Sequence, residues 1–222
     1  MNPWFNLPIC KPFVLSEDMP AIAEFNRRRR KHHVVHLEIV PEPYLGNPNA
    51  AVILLNLNPG FVEDDRSVHL QPLFNRAARA NLLHCHPNWP FYLLDPSLPA
   101  SPGRDWWRKK LAHLITAVGS QQAVAGAIFV AELHGYHTRR FHHGLKVPSQ
   151  QYTFSLVKKA IKRGAHLVLM RGRRAWLRDL PELAGVPIIS LRNPQNPTIS
   201  IGNCPEQFET LVRAIQKYPS TE

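Results

Sequence analysis

The sequence predicts an α/β protein: three layers, with a mostly parallel central sheet of about four strands between helices. Three observations carry that expectation. Short apolar runs at 51–55, 127–131, 166–170 and 186–191 read as strands buried on both faces. Stretches with helical spacing separate them, the alternation that builds parallel sheets. Each run ends in polar, turn-forming residues, so the carboxyl ends converge on one edge, where ligands bind in open α/β sheets.

Taken in order, residues 1–20 are proline-rich and read as an arm lying over a single domain of residues 21–222. Residues 21–31 look helical and end in basic side chains, which suits a helix C-terminus. Residues 32–40 alternate apolar and polar and predict an edge strand, whereas the prolines and glycine of 41–48 predict a loop. After the first buried run, Glu63, Asp64, Asp65 and Arg66 lead into a helix extending to about Leu83. Residues 84–105 are too long and too proline-rich for a plain linker, so they are expected to fold over a site. Helices follow at 106–118, at 148–163 with Ser149 as N-cap, at 175–183 and at 205–217.

At 222 residues the chain suits one α/β domain, and none of its apolar runs approaches the roughly 20 residues of a membrane span. The first residues lack the charged-then-apolar layout of a secretory signal, and the three cysteines are widely spaced, so a reducing cytoplasm is expected. His84, Cys85 and His86 are adjacent and point in different directions, so no zinc site is expected there, and no cofactor is called for.

Lys and Arg number 27 against 16 Asp and Glu, a net charge of +11 that favours a polyanionic partner. The charge is clustered at 27–31, 108–110, 139–140, 158–159 and 171–174, next to Trp106, Trp107, Tyr136, Phe141 and Trp176. Basic groups that track a phosphate backbone and rings that stack on bases are the parts of a nucleic-acid groove. Trp106 and Trp107 read as core packing before a base platform. His32, His33, His36, His142 and His143 read as surface residues with no assigned role.

The first buried run passes directly into Asn56-Leu57-Asn58-Pro59-Gly60. Pro59 and Gly60 force a turn, which a plain strand ending explains as well. The flanking Asn56 and Asn58 turn the reading toward a site. The second run ends at Glu132, followed by Tyr136, His137, Arg139 and Arg140. There Glu132 and His137 are candidates for an acid/base pair, and a solvated basic loop is the alternative. The third opens into Arg171, Gly172, Arg173 and Arg174, a candidate phosphate contact or a charged helix start. The fourth ends in Arg192-Asn193-Pro194-Gln195-Asn196-Pro197.

This order of strands and loops resembles the uracil-DNA glycosylase superfamily. Asn58-Pro59-Gly60 is similar to the Gly-x-Asn-Pro-Gly motif of its mismatch-specific and single-strand-selective branches, with Asn56 in place of the first glycine. Asn193-Pro194 matches the opening of the last motif. The resemblance spans roughly residues 42–217 and extends to uncharacterised bacterial proteins of the same fold. It implies a metal-free glycosylase that excises an altered base from DNA, acting as a monomer. By motif match Asn58 positions the water. The resemblance places Asn193 on the base and Pro194 to Pro197 on the backbone, and Pro59, Gly60, Phe61 and Asn196 near the substrate, where the position of Asn56 and Tyr136 after buried strands puts them as well.

The chain also departs from the family. Glu132 stands where the family's uracil-reading asparagine is expected, and only Phe61 is available as a stacking aromatic. Four cysteines for an iron–sulfur cluster are absent. Two other functions remain in view: a non-catalytic nucleic-acid-binding module of the same fold, and a hydrolase or transferase acting on a nucleotide or small phosphate compound.

Overall fold

The computed structural model describes residues 1–85 and 88–219, and it forms an α/β fold around one five-stranded sheet. The strands are β1 (Tyr44–Gly46), β2 (Val52–Asn56), β3 (Ile128–Glu132), β4 (His166–Leu169) and β5 (Ile188–Ser190). Their spatial order is β1-β3-β2-β4-β5. The helices are α1 (Met19–Arg27), α2 (Asp64–Leu70), α3 (Pro72–Leu82), α4 (Pro102–Val118), α5 (Gln121–Ala127), α6 (Gln150–Lys162), α7 (Arg173–Asp179) and α8 (Phe208–Gln216). None of the described helices is long and apolar enough to cross a membrane.

The four strands expected from the apolar runs are present and pair in parallel, β3 to β2 to β4 to β5. The sheet is nevertheless mixed, because β1 adds an antiparallel edge to β3. That strand falls in the segment expected to be a loop. It is only three residues long and sits between Pro43 and Pro48, so nothing local announces it; pairing with β3 creates it. Gly46 fits the close approach: at φ 99° a Cβ there would lie 2.2 Å from the Ile128 carbonyl oxygen.

With β1 on the edge, residues 32–40 are excluded from the sheet. The edge strand expected there is reduced to a single bridge, His36 to His137, although Val35, Ile39 and Val40 still turn into the core. The expected helix through Leu83 is two helices. Pro72 cannot donate a backbone hydrogen bond and holds Gln71 extended (ψ 126°), which separates α2 from α3. Helix α5, not foreseen, starts on Ser120, whose hydroxyl accepts from the Ala123 amide at 3.1 Å.

Every residue of β2 and β3 is buried, and since successive side chains alternate between faces, both faces of the sheet are covered. The N-terminal arm is part of this core: Trp4, Leu7, Phe13, Val14 and Leu15 are all buried. Register then sets up the site. Asn56 and Glu132, the last residues of β2 and β3, lie side by side, and Arg171 follows the end of β4.

Candidate active site

A pocket of about 440 Å³ opens at the carboxyl ends of β2, β3 and β4. Asn56 to Val62 form one wall, Glu132 and His137 to Phe141 a second, Trp106 and Trp107 of α4 a third, and Arg171 stands at its rim. Leu93 and Ser101, from the irregular connection before α4, also face it, so the described part of that connection does fold over the site. Helix α4 is held there by Ser101, whose hydroxyl accepts from the Arg104 amide at 3.0 Å.

The turn after β2 is clamped from the loop after β3. Asn58 Nδ2 donates to Thr138 Oγ1 (2.9 Å), the Thr138 carbonyl (3.2 Å) and the Pro59 carbonyl (2.8 Å). Among the described residues, all of the side chain's hydrogen bonds are made by its amide nitrogen, and Oδ1 is the acceptor left over. Thr138 returns a backbone bond to the Pro59 carbonyl at 3.3 Å. The orientation of Asn58 is thus fixed by two loops at once.

Beside it, Asn56 Nδ2 donates to Glu132 Oε1 at 3.0 Å. Glu132 is buried and its Oε2 has no hydrogen-bond partner among the described residues. Burial pushes its carboxyl up to about 8, which the Asn56 bond and the charge of Arg171 only partly offset. Near neutral pH Glu132 is accordingly a carboxylic acid, with an O–H to donate and a carbonyl oxygen already engaged.

Glu132 and His137 do not pair with each other. Both ring nitrogens of His137 face backbone carbonyls, Nδ1 that of Gly60 at 2.7 Å and Nε2 that of Val40 at 3.1 Å. Its ring is a strut joining the turn after β2 to the segment before β1. Behind it sits a cluster that the sequence did not signal. Glu42 Oε2 lies 3.9 Å from His137 Nε2, Tyr92 donates its hydroxyl hydrogen to Glu42 Oε1, and His69 stands edge-on to His137 at 5.4 Å between ring centroids. Burial raises the carboxyls of Glu42 and Asp65 and holds the His69 imidazole well below its ordinary value, in the neutral form. Glu42, His69 and His137 are the group here with the spacing to hold a metal ion.

Phe61 lines the pocket but stacks on His36, centroids 3.4 Å apart, with the guanidinium groups of Arg66 and Arg139 near its ring. Trp106 and Trp107 meet edge to face at 4.6 Å. Trp107 is buried as expected of core, whereas Trp106 is half-buried and carries Lys110 and Arg171 over its ring. Trp106 therefore joins the site, and the basic stripe beside it was the available signal.

Other expected residues lie apart from the pocket. Tyr136 is fully buried and donates to Asp18 Oδ2 at 2.7 Å while accepting from the Leu15 amide, so it secures the arm. Asn193 Oδ1 accepts from the Gln195 and Asn196 amides, which folds that side chain into its own turn. Pro194 is exposed, as is Asn196, which accepts a hydrogen bond from Lys110. This loop meets the rim through Arg171, which donates to the Gln195 carbonyl at 3.1 Å, and through Lys110, which lies over the Trp106 ring.

Among the basic residues, Arg139, Arg140 and Arg171 edge the pocket, Arg139 paired with Glu63. Arg173 and Arg174 are exposed farther along, Arg173 donating to Ser190 Oγ. Gly172 has a steric reason to be glycine, with φ 72° and a Cβ position only 2.1 Å from the Leu57 side chain. Of the His84, Cys85 and His86 trio, His86 lies outside the described residues. His84 stacks on Tyr44, and its Nε2 lies 3.0 Å from the Tyr152 hydroxyl. No protein-family profile, curated protein or solved structure matches the chain.

Proposed function

We propose that the chain is a DNA-binding glycosylase of the uracil-DNA glycosylase type, which hydrolyses the N-glycosidic bond of an altered base. The observation that carries this reading is the pairing of Asn56 with a buried, protonated Glu132 beside the clamped Asn58 at the floor of one pocket. A volume of about 440 Å³ lies within the range of small-ligand sites, roughly 300–1,000 Å³, and accommodates a base turned out of the stack.

In this reading Asn58 Oδ1 accepts a hydrogen bond from water and aims its oxygen at C1′ of the sugar. The C1′–N bond breaks, the water oxygen bonds to C1′, and the water's proton ends on the departing base. Glu132 donates its Oε2 hydrogen to a carbonyl oxygen of the base and stabilises the negative charge that forms there. A neutral carboxyl supplies the donor that an ionised one lacks, so Glu132 is compatible with uracil and with hypoxanthine. Trp106 stands beside the base, with Phe61, already stacked on His36, in the wall behind it, while Arg139, Arg140 and Arg171 attract the phosphates.

The test uses end-labelled single- and double-stranded oligonucleotides carrying uracil, hypoxanthine, xanthine, or thymine opposite guanine. Hot alkali breaks the strand wherever a base has been removed. The expected outcome is cleavage of at least one of them by the wild type. Salt-sensitive DNA binding with no cleavage of any substrate would replace the enzyme with a non-catalytic binding module.

A further inference from the structure

We propose that Glu42, His69 and His137 bind one divalent transition-metal ion of the zinc class in the wall of the pocket. The three come from separate parts of the chain: the segment before β1, helix α2, and the loop after β3. A carboxylate oxygen of Glu42 and a ring nitrogen of each histidine lie within 4.8 Å of one another, and all three residues are buried. Bonds of about 2.1 Å place tetrahedral ligands roughly 3.4 Å apart, so no pair needs to close by more than about 1.4 Å when the ion enters.

The surroundings are those that metal ligands require. Ligating histidines ordinarily donate their second ring N–H to a carbonyl or carboxylate, which fixes the tautomer. His137 Nδ1 does this with the Gly60 carbonyl at 2.7 Å, leaving Nε2 on the side of Glu42 Oε2, 3.9 Å away. Ligating carboxylates are themselves hydrogen-bonded, and Tyr92 donates to Glu42 Oε1, which leaves Oε2 for the ion. His69 supplies the independent sign of a missing partner: its Nδ1 is buried without a hydrogen bond among the described residues. Such a group costs free energy until something satisfies it.

Metal binding exchanges one contact, since His137 Nε2 now lies 3.1 Å from the Val40 carbonyl. A ligating imidazole nitrogen carries no hydrogen, so the ion and the Val40 carbonyl are alternative partners of Nε2. Two histidines and one glutamate leave the fourth position to water, on the side of the pocket that all three residues line. That is the layout of an open zinc site; structural sites are closed by four protein ligands.

The inference stands apart from the base-excision reading, because binding is measured without substrate. Protein stripped with a chelator is titrated with Zn²⁺ by calorimetry and with Co²⁺ by visible absorption. One equivalent is expected to bind, with the d–d bands of a four-coordinate cobalt ion. Glu42→Gln, which keeps the side chain's shape, and His69→Ala are each expected to weaken binding by about a hundredfold. His142→Ala, at a half-buried ring packed against those of His33 and His143, is expected to leave stoichiometry and affinity unchanged. If His69→Ala does not fold, Glu42→Gln and the wild-type cobalt spectrum decide the matter. No stoichiometric binding to the wild type overturns the proposal, and so does one equivalent that survives in Glu42→Gln at full affinity.

Discussion

Asn58→Ala is expected to slow base excision by about a hundredfold or more while DNA affinity stays close to that of the wild type. The size follows from geometry. Asparagine is a weak base, so its contribution is to hold the water in line with the bond to be broken, and misplacement by about 1 Å is enough for a loss of this order. Three hydrogen bonds from Nδ2 hold the side chain still, two of them to Thr138. Thr138→Val removes the Oγ1 acceptor and keeps the shape, so its loss is expected to be smaller, about tenfold, and confined to kcat. Single-turnover rates with a uracil-containing oligonucleotide measure both. Equal rates in Asn58→Ala and wild type would remove Asn58 from the reaction.

Glu132→Gln is expected to change how both stability and activity depend on pH. The folded carboxyl titrates at about 8, against the ordinary 4.5, so the folded state holds a proton that the unfolded chain has released. Stability therefore falls as pH rises through this window. The contribution of the neutral acid is fully present below pH 4.5 and is lost by the time pH has passed about 8. At about 1.4 kcal/mol per unit, the wild type gives up about 4 to 5 kcal/mol across the window relative to the glutamine variant. Urea midpoints at pH 5, 7 and 9 measure the difference, which should grow steadily in favour of Glu132→Gln. A constant difference would mean that Glu132 is ionised at neutral pH. Activity follows the same proton: the wild-type rate should drop above about pH 8, whereas the variant, whose amide N–H donates at every pH, should not.

Half of this site was legible in the sequence. An apolar run that stops at an asparagine or a glutamate marks the carboxyl end of a buried strand, and Asn56, Asn58 and Glu132 are found that way and do come together. Glu42, Asp65 and His69 were not legible. Glu42 lies between two prolines in a segment that becomes ordered only by pairing with β3. Asp65 and His69 look like ordinary polar positions of a short helix, and only tertiary packing turns them inward. The same limit explains Asn193 and Tyr136. The family resemblance for Asn193 and the position after a strand for Tyr136 suggested a ligand contact; the first side chain completes its own turn and the second ties down the arm. Local chemistry locates a strand end; which of its neighbours face the pocket is decided by partners far away in the chain.

Reception of one altered base by the pocket is measured most directly by binding to an uncleavable substrate. A duplex carrying a single 2′-fluoro-2′-deoxynucleotide of the base that the wild type excises and an otherwise identical undamaged duplex are titrated at the same salt concentration. The fluorinated duplex should bind about tenfold to a hundredfold tighter, the worth of one well-read base. That preference should shrink in Glu132→Ala while affinity for the undamaged duplex is kept. Equal affinities for the two duplexes, both falling steeply with salt, would show that the chain grips only the backbone and would contradict the account.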